Sequence, residues 1–352
     1  MADSAILQQR ILAARHRLER AGIGRAEAAL DADVLARHAL GGWERGRLLA
    51  SMREACPPGF DEAFEPLVAR REHREPSGYI TGVREFWGID IEVGRGVLVP
   101  RPETELLVDE ALARLSAPAE ASRRAGRAMV DAFPSVSIAD VGTGSGCVAV
   151  ALARWLPGAA VAAIDASDEA LAYARRNAAR QGVQDRVLVV RGDLLGAQAG
   201  PFDAVVSNPP YVPTEDIAGL PPEIRGYEPM GALDGGPDGL AVIRRLVPEA
   251  AARLRPGGWL LFEFGFGQAE GVRAIVEAEP AFEWHGTRAD LAGIPRVAMA
   301  RRRVTAAGGP PPDPESPPPS HGLPACPEQA EDPASARQAE FPAPSPEPRA
   351  PD

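Results

Sequence analysis

The chain has 352 residues, 45% of them hydrophobic, which is enough for a sizeable core in two domains with accessory segments. No apolar run reaches the roughly 18 residues that span a bilayer, and the start, Met1-Ala2-Asp3-Ser4, lacks the basic and apolar regions of a signal peptide, so a cytoplasmic protein away from membranes is expected. The net charge of −11 argues against a protein that lives on DNA phosphates.

Ile6, Leu7, Ile11, Ala14 and Leu18 recur at helical spacing behind an Asp3-Ser4 cap, and Leu30, Val34, Leu35 and Leu40 form a second set beyond Gly22 and Gly24. A third helix is predicted over residues 60–74, giving a small helical, substrate-holding domain over residues 1–75. The pattern then turns β-branched, aromatic and glycine-punctuated: Tyr79-Ile80-Thr81-Gly82, Phe86-Trp87-Gly88, Ile89, Ile91 and Val97-Leu98-Val99. It predicts a β-hairpin linker over residues 76–100.

Over residues 101–303 strand and helix alternate. Strands are predicted at 137–141, 160–164, 187–190, 204–207 and 259–264, with amphipathic helices between the first four and another helix at 269–278. Such alternation implies a mainly parallel sheet covered on both faces, an α/β fold. Residues 283–289 and 296–301, joined by Asp290-Leu291-Ala292-Gly293-Ile294-Pro295, read as a closing antiparallel pair. An antiparallel final strand marks the seven-stranded, Rossmann-like sheet of class I S-adenosylmethionine-dependent methyltransferases. Residues 304–352 carry eight acidic side chains and two arginines, and 15 of the 36 prolines fall from Gly308 onward. That segment is predicted to be a disordered, acidic tail.

The chemistry concentrates at strand ends. Asp140-Val141-Gly142-Thr143-Gly144-Ser145-Gly146 follows the first strand of the sheet and opens a helix, so the backbone of Gly142, Thr143, Gly144, Ser145 and Gly146 can approach a ligand at a helix N-terminus. The third glycine of a dinucleotide fingerprint would fall on Cys147, and this spacing counted together with the later motifs favours S-adenosyl-L-methionine over a nicotinamide cofactor. Asp165, ending the second strand, suits two ribose hydroxyls. After the third strand, Asp193 suits an adenine amino group and Leu194 the ring, although which of the two makes the contact stays open. Asp140 suits either the loop or an ammonium group.

Cys56, Cys147 and Cys326 are far apart and without a CxxC pair, so free thiols are expected rather than a disulfide or zinc site. The five histidines are scattered, so no metal site or hydrolytic triad is expected. All basic residues are arginine, which removes lysine-dependent chemistry.

The most telling group is Asn208-Pro209-Pro210-Tyr211 after the apolar run Ala204-Val205-Val206. Two prolines stop the strand. They leave an Asn carboxamide, a proline carbonyl and a tyrosine ring where open sheets bind ligands. Two acceptors and a flat face suit a planar NH2 group.

With Val99-Pro100-Arg101-Pro102-Glu103-Thr104-Glu105, Tyr227-Glu228-Pro229 and Gly235-Gly236-Pro237-Asp238-Gly239-Leu240, residues 1–303 resemble the bacterial peptide chain release factor N5-glutamine methyltransferases. The resemblance implies methyl transfer to the glutamine of the Gly-Gly-Gln motif of class I release factors, and a monomer is expected. Asn208, Pro209 and Tyr211 are the implied catalytic residues and bind the substrate together with Pro210, which stiffens the loop, while Arg101 and Glu103 would line the substrate entrance. Asn208 also borders the cofactor. Glu228 and Asp238 are expected to fix loops. Asn-Pro-Pro-Tyr alone also fits adenine-N6 DNA methyltransferases, which place a flipped base there. The related ribosomal-protein glutamine methyltransferases differ at 101–105. The proline-rich tail has no counterpart in that family.

Overall fold

The computed structural model describes residues 6–124, 135–196, 198 and 200–304. The predicted tail from 305 onward lies outside them.

Helices α1 (Leu7–Arg20), α2 (Arg25–Ala39), α3 (Arg45–Ala50) and α4 (Phe60–Glu72) enclose one core of Leu7, Ile11, Leu18, Ala32, Leu35, Phe60 and Phe64. The N-cap of α1 is Ile6, whose amide donates to Gln9 Oε1 at 3.3 Å, rather than the expected Asp3-Ser4 pair, which lies outside the described residues. Leu30 is 51% exposed, against expectation, because α2 turns an alanine-rich stripe inward: Ala28, Ala32, Leu35 and Ala36. In a chain so rich in alanine, that stripe gives a weak periodic signal.

Residues Tyr79-Ile80-Thr81, read from sequence as extended, form instead a short helix α5 (Ser77–Thr81) that follows Pro76 and ends at Gly82 with φ +76°. The hairpin is confined to β1 (Val83–Phe86) and β2 (Ile89–Glu92). Trp87 (φ +50°) and Gly88 (φ +75°) make its turn, both in the left-handed region that a twisted two-residue hairpin requires. From Val93 to Pro100 the chain runs without regular structure.

The seven-stranded sheet contains β3 (Val136–Val141), β4 (Ala159–Asp165), β5 (Val187–Arg191), β6 (Phe202–Ser207), β7 (Leu254–Glu263), β8 (Phe282–Ala289) and β9 (Pro295–Arg302) in the order β5-β4-β3-β6-β7-β9-β8. The first five pair in parallel, while β9 runs antiparallel to both β7 and β8. The class I methyltransferase topology is thus present, with the antiparallel last strand inserted between its two predecessors.

Strand residues alternate between two cores. Ile138 joins Leu107, Val108 and Leu152 from α6 (Glu105–Arg124) and α7 (Cys147–Trp155). Ala139 and Val141 join Ile243, Leu246 and Val272 from α10 (Ala241–Arg253) and α11 (Ala269–Glu277). Helix α8 (Asp168–Arg180) belongs with the first set through Ala170 and Ala178. Between β5 and β6 the described residues form a turn, not the expected helix.

Chain order reverses at β3, which pairs with β4 on one side and β6 on the other. A crevice opens at the carboxyl ends of such a pair.

Candidate active site

That crevice holds a cavity of about 460 Å³, within the usual range for a small-molecule site. Its floor is the turn after β3. Gly142, Gly144 and Gly146 have φ of +71°, +55° and +81°, a region costly to residues with a Cβ. At Gly146 a Cβ would also meet the Ala174 Cα at 3.0 Å, so this glycine lets α7 seat against α8. Gly142, Thr143, Gly144, Ser145, Asp165, Asp193, Leu194, Asn208 and Pro210 all line the cavity.

Asp165 braces the turn, its Oδ2 accepting from the Gly144 amide at 2.8 Å and its Oδ1 from the Ser167 amide at 2.9 Å. Asp140 is buried, its Oδ2 accepting from Thr143 Oγ1 at 2.6 Å and the Ala149 amide at 3.1 Å. Burial pushes its carboxyl up to about 7, against those hydrogen bonds. Asp193 sits at the rim, 71% exposed in its side chain and paired with Arg245 at 2.7 Å. Leu194 holds φ +51°, rare for a leucine, and packs against the second sheet core. Burial drives the Cys147 thiol up to about 12, so it remains an inert thiol beside the cavity.

Beyond β6 the chain leaves the sheet at Asn208. The Asn208 Nδ2 donates to Thr104 Oγ1 at 3.0 Å. Thr104 donates to Glu263 Oε2 at 2.7 Å, and the Tyr211 hydroxyl donates to Glu263 Oε1 at 2.9 Å. Among the described residues, neither Asn208 Oδ1 nor the Pro209 carbonyl accepts a hydrogen bond. Pro209 is buried and Tyr211 half-buried, and neither lines the cavity. Gln268 Nε2 donates to the Tyr211 carbonyl at 2.9 Å and holds the loop down.

Arg101 and Glu103 stand outside the cavity lining as well. Arg101 donates to both oxygens of the buried Glu228, at 2.8 and 2.6 Å, and so ties the segment before α6 to the loop after α9 (Pro222–Tyr227). Asp238 accepts from the Leu240 amide at 3.2 Å and pairs with Arg244. Both acidic residues act as loop-fixing groups.

Sequence reasoning missed the segment Gly96 to Pro100, which contributes to the cavity lining and passes over α8 so closely that a Cβ at Gly96 would sit 2.6 Å from Glu169 Oε2. It also missed Thr104 and Glu263. The signal for Glu263 was available: a lone carboxylate inside the apolar run Trp259-Leu260-Leu261-Phe262-Glu263-Phe264.

The strand order, the glycine turn and the Asn-Pro-Pro-Tyr loop at one switch point define a class I methyltransferase. Matches to family models agree: residues 10–82 match the PrmC N-terminal domain and residues 124–219 the methyltransferase small domain. The release factor glutamine methyltransferase of Geobacter sulfurreducens is 44% identical over 263 residues, covering 74% of this chain and 85% of that protein. That of Moorella thermoacetica is 40% identical over 302 residues, covering 84% of this chain and 99% of the other. Among solved structures, the release factor-specific protein-(glutamine-N5) methyltransferase of Alicyclobacillus acidocaldarius is 30% identical, with a TM-score of 0.34 over 61% of this chain and all of that one. The chain belongs to the release factor glutamine methyltransferase family.

Proposed function

We propose that the protein transfers a methyl group from S-adenosyl-L-methionine to the side-chain amide nitrogen, N5, of the glutamine in the Gly-Gly-Gln motif of class I release factors, modulating translation termination in the cytoplasm. The observation that carries the reading is the Asn208 carboxamide. Its Nδ2 donates to Thr104, which leaves its Oδ1 as an unengaged acceptor on a residue of the cavity lining; the Pro209 carbonyl, outside that lining, is a second acceptor without a partner among the described residues. A primary amide nitrogen carries two N–H groups that match them.

The cavity residues fit the cofactor. Left-handed backbone at Gly142 and Gly144 leaves open space where a Cβ would stand, with nothing nearer than 3.8 and 4.0 Å. Buried Asp140, with its carboxyl raised to about 7, gains from a cationic neighbour. In this reading Asp140 and residues 142–146 hold the methionine part, Asp165 the ribose, and Asp193 with Leu194 the adenine. When bound, the cofactor supplies an electrophilic methyl group on a sulfonium.

An amide is a poor nucleophile because its lone pair is delocalised; twisting the amide out of resonance costs about 18–20 kcal/mol. Asn208 Oδ1 and the Pro209 carbonyl, each accepting one N–H, fix the nitrogen and stabilise positive charge as it develops there. Orientation of this kind supplies on the order of 7–11 kcal/mol. Pro210 stiffens the loop, and the Tyr211 ring offers a flat face for the amide plane. Arg101 and Glu103 belong to the substrate entrance in this reading, Arg101 through its pair with Glu228. The amide proton leaves to water after transfer, so no dedicated base is required.

The experiment is incubation with labelled S-adenosylmethionine and either a class I release factor or duplex DNA. Label is expected in the release factor; label in DNA alone would favour the base-methylating alternative and contradict the reading.

A further inference from the structure

We propose that Thr104 and Glu263 are positioning residues for the transfer, and that together they fix which way round the Asn208 carboxamide stands. The inference rests on the reading of Asn208 Oδ1 as an acceptor for the substrate amide.

Glu263, at the end of β7, is 1% exposed; burial pushes its carboxyl up while the Thr104 and Tyr211 hydroxyls that donate to it hold it down, and in the ionised form, on which the proposal rests, it can only accept. Both of its oxygens are engaged, one by Thr104 at 2.7 Å and one by Tyr211 at 2.9 Å. A threonine hydroxyl has a single proton. Once that proton points at Glu263, Thr104 Oγ1 can only accept, so the face of Asn208 set against it must be the NH2, as the 3.0 Å contact from Nδ2 requires. Oδ1 then faces the other way. A carboxamide turned over would set oxygen against oxygen at Thr104 and offer a donor to a substrate that is itself a donor.

One buried carboxylate therefore orients two groups. Through Thr104 it sets the polarity of Asn208, and through its other oxygen it anchors the Tyr211 ring. The four residues come from three separate places in the chain: the turn Pro102–Thr104 before α6, the loop after β6, and the end of β7. None of these bonds contributes an atom to the transfer. A buried, satisfied network of this kind is stiff, which is what keeps an acceptor preorganised.

The test uses the full-length protein, a release factor and S-adenosylmethionine, with kcat, KM and the affinity for S-adenosylhomocysteine measured separately. Thr104→Val keeps the shape and removes the relay. It is expected to lower kcat about 10- to 100-fold, the scale of a misplaced reacting group, while KM and cofactor affinity stay within about threefold. Thr104→Ser, which restores the hydroxyl, is expected to recover most of kcat. Glu263→Gln must set its own NH2 against one of the two hydroxyls and is expected to lower kcat without tightening or loosening the cofactor.

Full kcat in folded Thr104→Val, or a Thr104→Ser as impaired as the valine, overturns the inference. If the valine variant does not fold, Thr104→Ser with normal kcat beside Glu263→Gln with reduced kcat supports it, and an unimpaired Glu263→Gln overturns it. Wild-type protein that transfers nothing to the release factor overturns the functional reading itself. Wild-type transfer with unimpaired variants overturns only the relay.

Discussion

Asp140 shows how a single buried group ties stability to ligand. The folded protein holds its proton up to about pH 7, whereas the unfolded chain releases it near the ordinary value of 3.8. The folded state therefore binds more protons across that window, and stability falls as pH rises through it. Asp140→Asn is expected to remove the fall, so that the ligand-free variant melts higher than wild type at about pH 8.5 and the gap closes near pH 4. The same variant is expected to bind S-adenosylmethionine more weakly, because the carboxylate is lost. Thermal melts at both pH values, with and without cofactor, check it; a variant less stable at high pH would mean that burial does not dominate this carboxyl.

At this scale the candidate site was legible where side chains act alone and opaque where they act through one another. Asn208, Asp165 and the glycine turn announce themselves by type and position after a strand. The Tyr211 ring was expected against the substrate amide, but the bond from its hydroxyl to Glu263 was not foreseen, nor was the pair of Arg101 with Glu228. Those partners lie far off in sequence, 52 and 127 residues away, so no local pattern reveals them.

Among elements, helices α2, α4 and α9 meet at a charged cluster. Arg71, 1% exposed, donates to Asp31 at 2.6 Å, to Glu27 at 2.8 Å and to Glu223 at 3.2 Å, and Arg74 also pairs with Glu223. This joins the helical part of the chain to the segment that carries Glu228. Removing one partner of a buried pair leaves an uncompensated charge, so Arg71→Met is expected to cost about 3–5 kcal/mol. Glu27, with its side chain 52% exposed, is a control: Glu27→Gln is expected to cost under about 1 kcal/mol. Urea denaturation measures both, and equal effects would contradict a buried origin.

Element boundaries followed the strength of local signals. The parallel strands β3 to β6, carried by apolar runs of valine and alanine, begin within two residues of the predicted positions, whereas β7 begins at Leu254, ahead of the predicted 259, through Arg255-Pro256-Gly257-Gly258. Helix α5 goes against its local signal, because Tyr79-Ile80-Thr81 has strand composition while Pro76 and Gly82 bracket a single helical turn; the tertiary setting, with Tyr79 and Ile80 both buried, decides. The turn between β5 and β6 escaped for the opposite reason, since leucine-, glycine- and alanine-containing sequence reads equally as helix or loop.

For the molecule as a whole, the sheet delivers the glycine turn, Asp165, Leu194 and Asn208 to one crevice, and the ion pair of Arg101 with Glu228 ties the chain before α6 to the loop at its rim. Fold class was readable in advance because alternation of strand and helix leaves few arrangements and the antiparallel closing pair selects among them. Substrate choice is tested by mass spectrometry of class I release factors from cells with and without this protein. The Gly-Gly-Gln glutamine is expected to carry one methyl group on its side-chain nitrogen in wild-type cells and in cells restored with the wild-type chain, and to lack it in deletion cells and in cells restored with Asn208→Ala. A glutamine that keeps its methyl group in the deletion cells would contradict the assignment.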